Sequence, residues 1–200
     1  MSGLSEVSVL FGQRAADIEK AREIFTAETR SFVSGVLAGI QRARSDPWVT
    51  SRVRVDLPRE IETESKTGYL SSQYAIARAQ LRFKKGTNFI VIADVRFGVE
   101  FEQQANGFVW QVTLVPTARY QRVDDVLWRQ WRTQSDADAL PGGRHDDRAN
   151  TVRFVQRPLD EGMKPEAAFN DVKGIFEFIL TADGSLAEAV GIDPVSGDEG

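Results

Sequence analysis

From Phe89 the odd positions run Phe89, Val91, Ala93, Val95, Phe97, Val99 and Phe101, all apolar, while Asp94, Arg96, Glu100 and Glu102 stand between them. A period of two held this long describes an extended strand with one buried face. Asn106-Gly107 then gives a hairpin signal, and Phe108, Trp110, Val112 and Leu114 alternate as far as Pro116. This hairpin is expected to form the floor of the core. Two strands are expected before it. Val49, Val53, Val55 and Leu57 share one side of residues 49–57, with Arg52 and Arg54 opposite. In 74–85, Ala75, Ala77, Ala79, Leu81 and Phe83 face one way and Tyr74, Ile76, Arg78, Gln80, Arg82 and Lys84 the other. Residues 151–156 supply a further short strand.

Elsewhere the apolar period lengthens to three and four, the mark of an amphipathic helix. Ile18, Ala21, Phe25, Phe32, Val36 and Ile40 place one long helix over 13–45, with 4–11 ambiguous between strand and helical lead-in. Val123, Leu127 and Trp131 place a second over 119–133. Phe169, Val172, Phe176 and Ile179 place a third over 165–181, with Pro165 suited to its first turn. Asp183-Gly184 ends that helix. Residues 185–191 have room for one more helical turn, and 183–200 read as an acidic, partly disordered tail. The fold expected is α+β. A long N-terminal helix packs on a curved, mainly antiparallel sheet of four to five strands, with two C-terminal helices, in one domain over 1–182. Two hundred residues suffice for such a core.

The first helix carries a row of small residues, Ser31, Gly35 and Gly39, four apart. An interior helical glycine costs about 1 kcal/mol against alanine, so the row predicts close approach of another backbone. The expected intramolecular partner is a sheet or a second helix, with the alanine strip of 75–79 flat enough to serve, and self-association is the alternative. Trp128 sits one step off the stripe of its helix, where an exposed indole would mark a protein-contact surface.

Composition narrows the chemistry. The chain has no cysteine, which removes disulfides, thiolate nucleophiles and thiolate metal sites and suits a reducing cytoplasm. One histidine rules out a His–His metal pair within a single chain. The first residues lack the pattern of a signal peptide, and no apolar run approaches the roughly 20 residues of a membrane span. Net charge is −4, against non-specific nucleic-acid binding by the whole surface. It is unevenly spread: residues 1–100 hold 15 basic and 12 acidic side chains, residues 101–200 hold 10 and 17.

Three clusters are candidates for chemistry. His145-Asp146-Asp147, with Asp136 and Asp138 upstream, is the one metal or general-base candidate; metal-dependent phosphohydrolases, which the His-Asp pair resembles, need further histidines. Arg52, Arg54, Arg78, Arg82 and Lys84 would share the polar face of the sheet if their strands are neighbours, a phosphate-tracking patch with Tyr74 as stacking surface. Outward strand positions also take charges simply to block aggregation. Asp56 with Glu64-Ser65-Lys66 resembles the acidic pair plus lysine of metal-dependent nucleases, but 64–66 lies in a stretch without alternation. Phosphate-cradling loops, nucleophile elbows and zinc spacings are missing from the chain, and no cofactor is expected. The reading that follows is a non-enzymatic protein-interaction or assembly subunit of a bacterial-type soluble complex, working through a protein partner or self-association. A small-ligand-binding or enzymatic pocket in the cup of the sheet is the first alternative. A nucleic-acid-binding module using the arginine-bearing strands is the second.

Overall fold

The computed structural model describes residues 5–43, 48–62, 73–102, 107–134, 143–146, 150–160 and 163–191. The chain is α+β, with helix α1 (Glu6–Arg42) leading. Strands β1 (Val53–Asp56), β2 (Gln73–Lys85), β3 (Asn88–Glu102) and β4 (Gly107–Pro116) follow. After a short 3-10 turn come α2 (Val123–Gln134), β5 (Arg144–Asp146), β6 (Thr151–Pro158), α3 (Pro165–Thr181) and α4 (Asp183–Gly191). The strands form one sheet in the order β1-β2-β3-β4-β6-β5, every pairing antiparallel. Six strands replace the four to five expected. The extra one is β5, three residues inside a polar stretch that reads as loop, too short for alternation to show.

Register puts the apolar residues of neighbouring strands on a common face. Ala77 lies beside Phe97, and Phe97 beside Val112; Ala75 lies beside Val99, and Val99 beside Trp110. This face takes the helices. Phe32 of α1 meets Trp110 edge-on at 5.6 Å. Phe176 of α3 stands between Phe97 and Trp48, at 6.2 and 5.4 Å. Trp131 of α2 packs on Phe154 of β6 and on Phe178 of α3. Each such pair adds about 0.5–1.5 kcal/mol beyond its buried area. α4 buries Leu186, Ala189 and Val190, so the first nine residues beyond 182 are a packed helix; 192–200 lie outside the described residues.

One polar knot crosses this core. Asp171 of α3 accepts from Trp110 Nε1 at 3.2 Å and from both Nε and Nη2 of Arg157, at 3.0 and 2.8 Å. A buried carboxylate is tolerable when paired and hydrogen-bonded in this way, and the bidentate geometry fixes α3 against β4 and β6.

Two features of the sheet correct the simple alternation. Between Leu81 and Arg82 the partner on β3 jumps from Ala93 to Val91, so Ile92 is an extra residue. A bulge of one residue exchanges the faces beyond it. Ile92 and Ile90 therefore join the core, and Phe89 and Val91 lie on the other face, not with Ala93 as expected. The second feature is Gly98. A Cβ there would sit 2.1 Å from the carbonyl oxygen of Ala75, so only glycine lets β2 cross so close at its own register shift.

Candidate functional site

Among the described residues three places are not consumed by the core: the uncovered face of the sheet, the junction of α2 with β5, and the first half of α1.

The uncovered face carries the arginines foreseen from the sequence. Arg54 faces Arg82 across β1 and β2, and Arg78 faces Arg96 across β2 and β3. The strands are neighbours in register, as the patch requires. Carboxylates occupy the same face, however. Asp56 pairs with Arg54 and lies 2.9 Å from Arg82 Nε; Glu62 lies 2.8 Å from Arg78 Nε. The Arg78 and Arg82 contacts are close enough for ion pairing but misaligned for hydrogen bonds at Nε. Arg52 leaves the row: its guanidinium lies over the ring of Phe83 at 5.4 Å and 3.5 Å from Asp183. Lys84 is exposed. The side chain of Tyr74, and residues Glu64, Ser65 and Lys66, lie outside the described residues.

Farther along the same face, β3, β4, β6 and β5 enclose a hollow of about 320 Å³, lined by Arg96, Glu100, Gln111, Thr113 and Arg153 among others. Arg153 pairs with Glu102 at 2.8 Å and donates to Gln156 at 2.9 Å. Gln111 is only 5% exposed. Its Oε1, together with Arg96 Nε, Thr113 Oγ1 and Arg153 Nε, is buried without a hydrogen-bond partner among the described residues. Burial pushes the carboxyl of Glu100 above its ordinary value, against the opposing pull of Arg96, Arg153, a hydrogen bond from Gln111 and Arg78. The helix-covered face, by contrast, is filled by Phe97, Trp110 and Phe176, all buried. The cup that the alternative reading would fill with a ligand is filled by these side chains, and the hollow lies on the opposite side of the sheet.

Of the candidate metal cluster, the two described residues, His145 and Asp146, separate. Successive side chains on a strand point to opposite faces. On β5, His145 pairs with Val152 and turns towards α2, while Asp146 pairs with Thr151 and lines the open-face hollow. Asp147, Asp136 and Asp138 lie outside the described residues. What meets His145 instead is the first turn of α2. His145 Nε2 lies 2.9 Å from Asp124 Oδ2 and 3.5 Å from Asp125 Oδ1. Trp128, one turn along α2, is half-buried, with its ring 6.3 Å from the imidazole and tilted by 30°. It covers the junction rather than standing out from it. Asp124 and Asp125 gave no signal beside His145, because 20 residues of chain separate them. Gln111 falls on the outward side of the alternation of β4, where its burial gives no signal in the sequence.

The small-residue row also divides. At Gly39 a Cβ would lie 3.1 Å from the ring of Phe169 on α3, so this glycine serves helix–helix contact. At Gly35 a Cβ would meet nothing within 4 Å, and Ser31 is exposed. Of the two partners expected for the row, a sheet or a second helix, the second helix meets Gly39 through Phe169, while a Cβ at Gly35 would reach neither. Toward its N-terminus α1 leaves the sheet altogether. From Ser8 to Ile24 every described side chain is exposed except those of Ala15 and Arg22, which are half-buried. Val9, Leu10, Ile18 and Ile24 are 45, 54, 43 and 48% exposed. At 1.5 Å per residue this arm is about 25 Å long.

No helix among the described residues is long and apolar enough to cross a membrane. No protein-family model, curated protein or solved structure matches this chain.

Proposed function

We propose that this protein is a non-enzymatic assembly subunit that pairs with a second copy of itself through the projecting half of α1. The observation that carries the reading is the run of four large apolar side chains, each 43 to 54% exposed, on a helix arm the sheet does not cover. Burying the exposed halves of such side chains contributes on the order of 1 kcal/mol each. The occupant is argued from charge and continuity. Residues 8–24 hold three basic and three acidic side chains, so a second copy meets no net repulsion, whereas a strongly charged partner gains nothing. The stripe of Ile18 continues directly into Phe25 and Phe32, which already pack on Phe108 and Trp110. The open Ser31–Gly35 surface adjoins it and allows close helix approach. A cysteine-free chain suits a reducing compartment, and we place the assembly in the cytoplasm.

The test is the mass in solution across a concentration series. The expected result is a monomer–dimer equilibrium that Ile18→Glu shifts to monomer while far-UV circular dichroism shows the fold retained. A wild-type chain that stays monomeric throughout removes the reading.

The open-face hollow favours a second reading, a site for a small polar ligand. Gln111 Oε1 calls for a donor, and Nε of Arg96 and of Arg153 call for an acceptor. An α-hydroxy or α-amino acid supplies both, and about 320 Å³ is at the small end of ligand pockets. Calorimetry with malate and serine, on wild type and Arg96→Gln, tests it; heats of dilution alone would end it. Nucleic acid is the least supported reading, since Arg54, Arg78, Arg82 and Arg153 each stand beside a carboxylate on their own face.

A further inference from the structure

We infer that Asp124, Asp125 and His145 form a binding site for one first-row divalent cation, Zn²⁺ in the first instance, at the junction of α2 and β5. Each residue offers a ligating atom, and all three atoms lie within 4.8 Å of one another. Ligands about 2.1 Å from a common ion are separated by no more than roughly 4.2 Å, so the observed cluster needs only a small contraction. The second observation concerns Asp124. It is 2% exposed, and while Oδ2 reaches His145 Nε2, its Oδ1 has no hydrogen-bond partner among the described residues. A histidine–aspartate hydrogen bond alone accounts for one oxygen of a buried carboxylate and leaves the other uncompensated, which is costly. It also leaves unexplained why a second carboxylate, Asp125, converges on the same nitrogen at 3.5 Å, too long for a good hydrogen bond. A cation answers both points.

The fold prepares the site. Asp124 and Asp125 both come from the first turn of α2, so one short stretch of helix delivers two carboxylates to the junction. β5 holds His145 in register opposite Val152, and Trp128 walls the ring on one side. The donor set selects the metal class. One imidazole with two carboxylates suits Zn²⁺ and its first-row neighbours, whereas Mg²⁺ prefers oxygen alone and keeps its water. Three protein ligands leave at least one position for water, on the side where Asp125 is 56% exposed. The bound ion clasps a three-residue strand to the helix above it. This inference is independent of the assembly reading, which concerns α1.

The chain has a single histidine, so the imidazole resonances report this site alone. The full chain, stripped with chelator, is titrated with Zn²⁺ while those resonances and the heat of binding are followed. The expected result is one ion per chain, a shifted imidazole spectrum, slower amide exchange at 144–146, and much weaker binding of Mg²⁺. Asp125→Asn, an exposed change that does not endanger the fold, is expected to weaken binding at least tenfold, as is Asp124→Asn. Imidazole resonances unmoved by Zn²⁺, or an affinity unchanged by both His145→Gln and Asp125→Asn, would overturn the inference.

Discussion

The two halves of α1 carry the same apolar rhythm and meet different fates. In the C-terminal half Val33, Val36 and Ile40 are sealed, and Phe32 rests on Trp110. In the N-terminal half Ile18 and Ile24, on the same helix, remain nearly half exposed. Periodicity therefore reports that a face is meant to be covered, not which surface covers it. Within one chain the sheet is only wide enough to cover half the helix.

Four substitutions along α1, and one on the sheet, can break or sharpen this contrast. The largest effect belongs to the sealed half. Ile40→Ala empties a fully buried position and is expected to cost about 2–5 kcal/mol in chemical denaturation; a cost near zero would mean the covered half is not covered. Next come the two glycines. Gly35→Ala is expected to stabilise by up to about 1 kcal/mol, because helix propensity improves and a Cβ meets nothing. Gly39→Ala should lack that gain, since its Cβ presses on Phe169 at 3.1 Å. Equal melting temperatures for the two variants would deny that the row is divided. Ile18→Ala, in the projecting half, should change monomer stability by less than about 0.5 kcal/mol, and a larger loss would place it in the core.

The smallest effect extends the contrast to the open face, where burial acts on a polar group. Glu100 has its carboxyl held above the ordinary value by burial. A raised acid favours the folded state most below the unfolded value, and that advantage is lost as pH climbs through the raised one. Glu100→Gln should therefore stabilise the fold at neutral pH, with the difference shrinking as pH falls toward 4.5 and below. A difference independent of pH would show that the carboxyl is not desolvated.

How much of this was legible beforehand differs by element. β3, β4 and the long β2 were plain, because half-buried strands of ten or more residues repeat their alternation many times. α3 was plain too, from Pro165 to Thr181. The bulge at Ile92 was not, since Phe89 and Val91 are apolar on whichever face they fall. β1 is shorter than the alternation of 49–57 suggested: it spans Val53–Asp56, and Val49 pairs back only as an isolated bridge to Arg54. The α2 helix begins at Val123, after a 3-10 turn that the pattern from 119 concealed. The candidate cation site was half visible. His145 stood out by being alone, but Asp146 beside it points to the other face, and its neighbours in space, Asp124 and Asp125, come from a helix upstream. The uncovered sheet face was foreseen as charged, while its self-neutralisation depends on cross-strand register that no single strand reveals.

The rims of the sheet have a consequence of their own. β1 has four residues and β5 three, and each lies against a much longer inner neighbour, so both margins descend like a staircase. A foreign strand arriving alongside would find a few residues to zip onto and would then have to jog inward by about 4.8 Å to continue. Ribbon-like growth from either margin is thereby discouraged.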